Sequence, residues 1–362
     1  MTKIGIAGAG SIAFGTAALL CNRGHEVALW SPSGQGTTGL GEGLTATGAL
    51  EGVFHPTVAD SAQALCDGAE VLLIAVPAYG HKAVIDALAP HLAEGQQVII
   101  SSHASFGAVY LAEALAARGL SLPITAWGTT ALTGRRTGPG AVSVNTIRAR
   151  VDMATVPDSA QPQALELQQA LFGDVFAARD GLLAIALSNL NPQNHMCIAL
   201  GNMTRMEHGE TWSQSGNVTP NVGRLMEELD AERLAIAETL GLTVKSIFEH
   251  YQQSYHVPVA SIAEMNAELH ARGTGGQGPA TADSRYVTED VPYGLLPTVV
   301  LGQLAGHPAR LHDAGVAIFS AMYGRDFAQE NELLTALDLT ARSLDDLRIA
   351  SRSGQFPAPA QA

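Results

Sequence analysis

Lys3-Ile4-Gly5-Ile6-Ala7-Gly8-Ala9-Gly10-Ser11-Ile12-Ala13 is the stretch that decides the fold. A short apolar strand runs straight into a glycine turn, an amphipathic helix follows to Asn22 and ends at Arg23-Gly24, and Glu26–Trp30 reads as a second strand. In that setting the G-x-G-x-x-A spacing predicts a dinucleotide-binding turn. Gly8 permits the tight turn, Gly10 lets the backbone approach a pyrophosphate, and Ala13 keeps the helix close to the sheet. The helix start, from Ala9 through Ser11 and Ile12, offers oriented amides to the anion. Outside this setting the same glycines would be an ordinary strand-to-helix turn.

Working outward, the residues that end the second strand choose the cofactor. NAD sites usually carry Asp or Glu there to bind the ribose 2′-hydroxyl. Here the segment is Trp30-Ser31-Pro32-Ser33, with no carboxylate to repel a 2′-phosphate and two hydroxyls to bond one, so NADP(H) is expected over NAD(H). The glycine-rich loop Gly34–Gly43 is expected to fold over the adenosine end. Strands and helices then alternate: Val71–Pro77 strand, His81–Leu92 helix, Gln97–His103 strand, Gly107–Arg118 helix, Pro123–Thr129 strand. Apolar strands alternating with helices imply a parallel sheet, with the dinucleotide across the strands' carboxyl ends. Val76 and Pro77 end one such strand and are expected at the cofactor. His103 ends another and is a rival acid/base, or simply a loop histidine. Thr129, Thr130, Arg135 and Arg136 follow a third, where side chains line a cleft or merely brace it. Gly140–Val156 reads as a hairpin-like strand pair, Ala160–Phe172 as a helix, and Asp174–Arg179 as the last strand.

From Leu182 the periodicity is helical: Leu182–Met206, Val222–Leu240, Lys245–Gln253, Ile262–His270, Leu296–Leu304, Ala309–Tyr323 and Asn331–Leu337. The fold class expected is therefore α/β, a Rossmann-type doubly wound dinucleotide domain over 1–180, followed by an all-helical domain over 181–362. Pro192 falls inside the first helical run, where it removes an amide donor and predicts a kink. His195 stands just past it, either aimed into a cleft or simply packed. A long glycine-rich segment, Arg272–Ala282, delivers Arg285 and Asp290. Arg285 offers a planar fork for a carboxylate, but a local surface ion pair with Asp290 would explain both residues as well.

Composition bounds the rest. A chain of 362 residues, 46% hydrophobic and 15% charged, is globular and long enough for two cores. A net charge of −14 disfavours nucleic acid and anionic membrane as partners. No apolar run reaches the roughly 18 residues of a membrane span, and strand pattern begins at residue 3 with no room for a signal peptide, so a cytoplasmic location is expected. Cys21, Cys66 and Cys197 lack metal-ligand spacing, so no metal site is expected. Exposed apolar residues on the helices are compatible with a homodimer and a monomer alike.

Together, the Gly8–Ala13 fingerprint, Asn191-Pro192-x-x-His195 and Arg285-Tyr286-x-x-Glu289-Asp290-Val291 resemble the opine dehydrogenase family, including the octopine synthase type, over nearly the whole chain. The resemblance implies that His195 is the general acid/base, that Asp290 orients it, and that Arg285 binds a substrate carboxylate. It also implies the reaction: reductive joining of a 2-oxo acid to the amine of an amino acid or another amine, or the reverse oxidation. Such chemistry needs a proton donor near neutrality, which histidine supplies. Asn191, one helical turn before His195, then contacts substrate or braces the kink. Thr129 and Thr130 are held as substrate-side candidates. Two departures stand out: Ser102-His103 where relatives often have Pro-Gly, and Met196 where a proline often follows the histidine. Ketopantoate reductases and 3-hydroxyacid dehydrogenases share this two-domain plan but use a lysine on the helical half. Here only Lys245 lies in that half, at a helix start where it reads as a surface residue. A third reading is a non-catalytic NADP(H) sensor, which needs the fingerprint but no acid/base pair.

Overall fold

The computed structural model describes residues 1–102 and 105–357, and His103 lies outside them. The described chain divides into two compact units, one formed by Met1–Ala186 together with the chain from Asp345, the other by Leu187–Leu344.

The first unit follows the order β1 (Lys3–Ala7), α1 (Ser11–Asn22), β2 (Glu26–Trp30), β3 (Leu44–Gly48), β4 (Gly52–Phe54), β5 (Thr57–Val58), α2 (Ala62–Cys66), β6 (Val71–Ile74) and α3 (His81–Leu88). It continues with β7 (Gln97–Ile100), α4 (Ser105–Ala116), β8 (Ile124–Trp127), β9 (Leu132–Gly138), β10 (Ala141–Ile147), β11 (Val151–Val156), α5 (Gln161–Phe172), β12 (Phe176–Ala178) and α6 (Gly181–Ala186). The main sheet has eight strands in the order β12-β11-β8-β7-β6-β1-β2-β5. From β8 to β5 the neighbours are parallel, with β1 central and Ala7 in register with Trp30 on one side and Ile74 on the other. This is the Rossmann-type arrangement the sequence implies.

Two expectations about this unit need correction. The sheet is not wholly parallel, because β11 runs antiparallel to β8 and carries β12 with it. Residues 140–156 are also not a hairpin. β10 pairs with β9 across Pro139-Gly140 and joins β3 and β4 in a second, four-stranded sheet of order β4-β3-β10-β9, whereas β11 joins the main sheet. Burial explains the split. Five of the six residues of β11 are buried, the mark of a strand covered on both faces, whereas β10 alternates and then becomes exposed toward Ile147. The core beneath holds Ile6, Phe14, Leu29, Leu73 and Ile99. Trp127 is fully buried and packs edge-on against Phe172, with ring centroids 5.2 Å apart. Its indole N–H donates to Gln168 Oε1 at 3.1 Å, satisfying the one polar atom it buries.

The second unit contains α7 (Asn191–Glu207), α8 (Pro220–Thr239), α9 (Ile247–Tyr255), α10 (Ile262–Ala271), the short α11 (Arg285–Thr288), α12 (Leu296–Leu304), α13 (Arg310–Tyr323) and α14 (Glu332–Leu337). The predicted kink at Pro192 is corrected. The helical run breaks after Ala186, and α7 begins afresh at Asn191 with Pro192 in its first turn. There the missing amide has no intrahelical acceptor to lose, so proline starts a helix instead of bending one. The bend in α7 lies at Asn202, with φ −135° and ψ 19°, where the side-chain amide donates to the Ile198 carbonyl at 3.0 Å. The start of α7 is anchored by a buried ion pair on α8. Arg233 and Asp230, 2.7 Å apart, are each 2% exposed. Asp230 accepts from Gln193 at 3.1 Å and from the Ile247 amide at 2.8 Å, and Arg233 donates to the carbonyls of Leu187 and Lys245. Each guanidinium nitrogen and each carboxylate oxygen of the pair has a partner, which is the condition for tolerating buried charge.

A last helix, α15 (Leu344–Ser353), belongs with the first unit, although the sequence places everything after residue 181 in the helical domain. Arg352 reaches Asp158 at 3.0 Å and Asp180 at 2.5 Å, and Leu347 and Ala350 are buried. Among the described residues no helix is long and apolar enough to cross a membrane.

Candidate active site

In the second unit, His195 lies one turn into α7, and its Nδ1 is 2.7 Å from Asp290 Oδ2, both side chains being 19% exposed. Ninety-five residues separate the two. They meet because α11 ends at Thr288 and the chain runs through Glu289 and Asp290 into a five-residue π-helical turn, Val291–Leu295, that holds Pro292 as its second residue. This turn packs against the first turn of α7. A Cβ built on Gly294 would stand 2.1 Å from Pro192 Cγ, so only glycine allows the approach. Tyr286 completes the setting. Its ring lies flat on the imidazole of His195, with centroids 3.6 Å apart and planes 7° from parallel. Its hydroxyl donates to Gln214 Oε1 at 2.6 Å. Burial, and after it the charge of Asp290, pushes the Tyr286 phenol up to about 12, so it stays a neutral donor. With Nδ1 committed to the carboxylate and one face covered by tyrosine, Nε2 is the ring nitrogen with no partner among the described residues. Such an imidazole can pass a proton through Nε2 while the carboxylate steadies its cationic form.

Arg285 is paired with Glu289 one turn along, not with Asp290, so the local Arg285–Asp290 pair that the spacing allowed does not form. Its side chain is 70% exposed, whereas that of Glu289 is 11% exposed. The guanidinium is thus tethered to Glu289 and still largely exposed. Asn191 is exposed at the start of α7, its backbone N–H donating to Asn189 Oδ1 at 3.0 Å.

In the first unit the glycine turn has the form the fingerprint predicts. Gly8 has φ 143°, and a Cβ there would lie 2.4 Å from the Ala75 carbonyl oxygen, so no other residue fits. Ala13 is fully buried, which lets α1 lie against β1. Gly10 caps α1, and a Cβ added to it meets nothing within 4 Å. The space in front of the α1 amides is therefore open, and any side chain at this position would intrude on it, as a dinucleotide pyrophosphate requires. Ala9, Ser11 and Ile12 border this turn and are partly accessible. Ser31 and Ser33 close β2 with their hydroxyl oxygens 3.5 Å apart, and no carboxylate stands at that strand end. Val76 and Pro77 follow β6, the Val76 carbonyl lying 3.1 Å from His81 Nε2. Thr129 and Thr130 follow β8. Thr130 donates to the Leu132 carbonyl at 2.6 Å, so its proton serves the β8–β9 turn.

Sequence reasoning passed over Tyr286, Gln214 and Gly294. Tyr286 stood within a quoted motif, yet nothing in its spacing says which ring it stacks on, and the fit of Gly294 to Pro192 is a relation across a hundred residues.

Two family descriptions match the chain. Residues 4–157 match "Ketopantoate reductase PanE/ApbA", and residues 178–323 match "NAD/NADP octopine/nopaline dehydrogenase, alpha-helical domain". The ketopantoate reductase description thus matches only within the dinucleotide-binding half. An opine dehydrogenase from Arthrobacter sp. (strain 1C) is 31% identical over 351 residues, 95% of this chain and 97% of that protein. Among solved structures, an octopine dehydrogenase with NADH and L-arginine has a TM-score of 0.82 at 18% identity, covering 100% of both chains. A yersinopine dehydrogenase with NADP+ bound has a TM-score of 0.68 at 17% identity, covering 98% of both. The chain belongs to the opine dehydrogenase family, oxidoreductases that act on CH–NH bonds with a nicotinamide dinucleotide.

Proposed function

We propose that this protein reductively condenses a 2-oxo acid with the amine of an amino acid or related amine, giving a secondary-amine dicarboxylate, with NADPH preferred over NADH. The observation that carries the reading is the His195–Asp290 pair, 2.7 Å apart with Nε2 left free. Addition of an amine to a 2-oxo acid gives a carbinolamine, which must lose its hydroxyl as water before the imine carbon can be reduced. His195, protonated at Nε2, gives its proton to that leaving oxygen, and Asp290 holds the ring in the required tautomer. Arg285 receives a substrate carboxylate at its exposed guanidinium, the tether to Glu289 limiting the freedom it loses on binding. Asn191 and Thr129 supply further polar contacts to substrate. The dihydronicotinamide supplies the hydride. Gly8 to Ala13 would hold its pyrophosphate, Val76 and Pro77 would border it, and Ser31 with Ser33 would accept a 2′-phosphate without charge repulsion.

A spectrophotometric screen tests this, with NADPH or NADH and pyruvate, 2-oxoglutarate, oxaloacetate or glyoxylate against amino acids and simple amines, and with the product mass determined. Cofactor oxidation is expected only with both partners present, and with a higher kcat/KM for NADPH. Equal oxidation with an oxo acid alone would make the protein a hydroxyacid-type reductase, and binding without oxidation across the panel would make it a sensor.

A further inference from the structure

The glycine turn offers amides to a pyrophosphate, but its own strand–helix–strand segment brings no cation to it. Between residues 1 and 60 the only lysine and arginine are Lys3, which opens β1, and Arg23, which follows the last turn of α1. Both stand at the far ends of their elements from Gly8–Ser11. In a chain of net charge −14, an anionic ligand must find its counter-charge elsewhere.

The second sheet brings one. Arg136 lies on β9, and its backbone amide donates to Ser11 Oγ in the first turn of α1 at 2.9 Å. Its guanidinium Nη1 donates to the Ala9 carbonyl at 2.9 Å and to the Gly36 carbonyl at 3.3 Å, and the fork lies 4.6 Å from the centroid of the Phe14 ring. Each of these partners is neutral. Among the described residues no carboxylate lies within ion-pair distance of Arg136, and Nε and Nη2 have no partner. The side chain is half-buried, so its charge is poorly screened and its position is fixed on three sides. A planar fork held by one nitrogen, with its remaining donors unused, is preorganised for phosphate oxygens and loses little freedom on binding them.

We propose that Arg136 is a cofactor-binding residue whose guanidinium, carried to the glycine turn by the second sheet, neutralises the pyrophosphate common to NAD(H) and NADP(H). The inference rests on the family's nicotinamide cofactor and is independent of the role of His195. The guanidinium donates to the carbonyl of Ala9, within the turn itself, and makes no hydrogen bond to Ser31 or Ser33, which favours the pyrophosphate over a 2′-phosphate as its ligand.

The test is equilibrium binding of ADP, adenosine, NADH and NADPH to the full chain, which requires no turnover. Arg136→Gln is expected to weaken ADP, NADH and NADPH alike by about 10- to 100-fold, the value of a charge-assisted hydrogen bond. Adenosine should stay within about twofold, because it carries no phosphate. Arg136→Lys keeps the charge but gives up the fork, and should show the same selective loss at about 3- to 10-fold; this variant decides the matter should the glutamine variant not fold. Loss confined to NADPH would move the residue to the 2′-phosphate and overturn the proposal. Equal loss of adenosine and ADP would make Arg136 a structural brace of the turn, and unchanged ADP binding would remove it from the site, either of which also overturns it.

Discussion

Replacing Gly294 by alanine puts a methyl carbon 2.1 Å from Pro192 Cγ and 2.6 Å from Pro192 Cβ. The ring cannot swing aside as a free side chain would, because it is closed onto the backbone of the first turn of α7 and can change only its pucker. Ordinary contact between carbons needs roughly 3.5–4.0 Å, so the π turn and α7 must separate by more than about 1 Å. Overpacking of this kind costs about 1–3 kcal/mol, which lowers the melting temperature by about 2–4 °C for each kcal/mol in a unit of this size. The larger consequence is at the site. His195 is on α7 and Asp290 immediately precedes the π turn, so a separation of about 1 Å carries their 2.7 Å hydrogen bond past the limit at which it is one. Loss of that alignment is expected to reduce kcat by about 100-fold. Binding of dinucleotide, whose glycine turn is in the other unit, should change little. Thermal unfolding, steady-state kinetics and dinucleotide titration on the same preparation separate these effects. A Gly294→Ala variant with parental kcat and melting temperature would refute the reasoning that this contact sets the His195–Asp290 geometry.

Other perturbations probe the remaining contacts. Asp290→Asn keeps the shape but can present an amide N–H to Nδ1, favouring the wrong tautomer; kcat should fall by about 100-fold or more, with substrate KM nearly unchanged. Tyr286→Phe preserves the stack on His195 and should cost less than about fivefold in kcat, whereas Tyr286→Leu removes it and should cost about tenfold or more; equal rates for the two would show that the stack does not position the imidazole. Arg285→Ala is expected to raise the KM of the oxo acid or of the amine by about tenfold while dinucleotide affinity is retained, and unchanged values for both substrates would remove it from the site. Trp127→Ala empties the cluster with Phe172 and Phe176 and should destabilise the first unit by about 3–5 kcal/mol, read by denaturant unfolding.

What was legible in the sequence follows the range of the interaction that carries it. The glycine turn was readable because strand, turn and helix are contiguous and Gly8 meets its constraint within the same segment and the adjoining strand end at Ala75. Helices such as Leu296–Leu304 and Ile262–Ala271 were readable because amphipathic periodicity is local. The second sheet was not, since β3 and β4 are short and β10 finds its parallel partner nearly a hundred residues earlier. Pro192 gave a true signal with two meanings: a proline in a helical run either bends a helix or starts one, and the break after Ala186 settled which. The allegiance of α15 depended on Asp158 and Asp180, charges that composition cannot pair with Arg352 in advance. His195 and Asp290 were named through a resemblance; their contact, across 95 residues, was not in the spacing.

The most direct test of the account is single-turnover hydride transfer in His195→Asn, with cofactor prebound and an oxo acid and amine pair that the parent enzyme reduces. The account predicts unchanged dinucleotide affinity and a chemical step slowed by about 100-fold or more. Hydride transfer at the parental rate in that variant would contradict it.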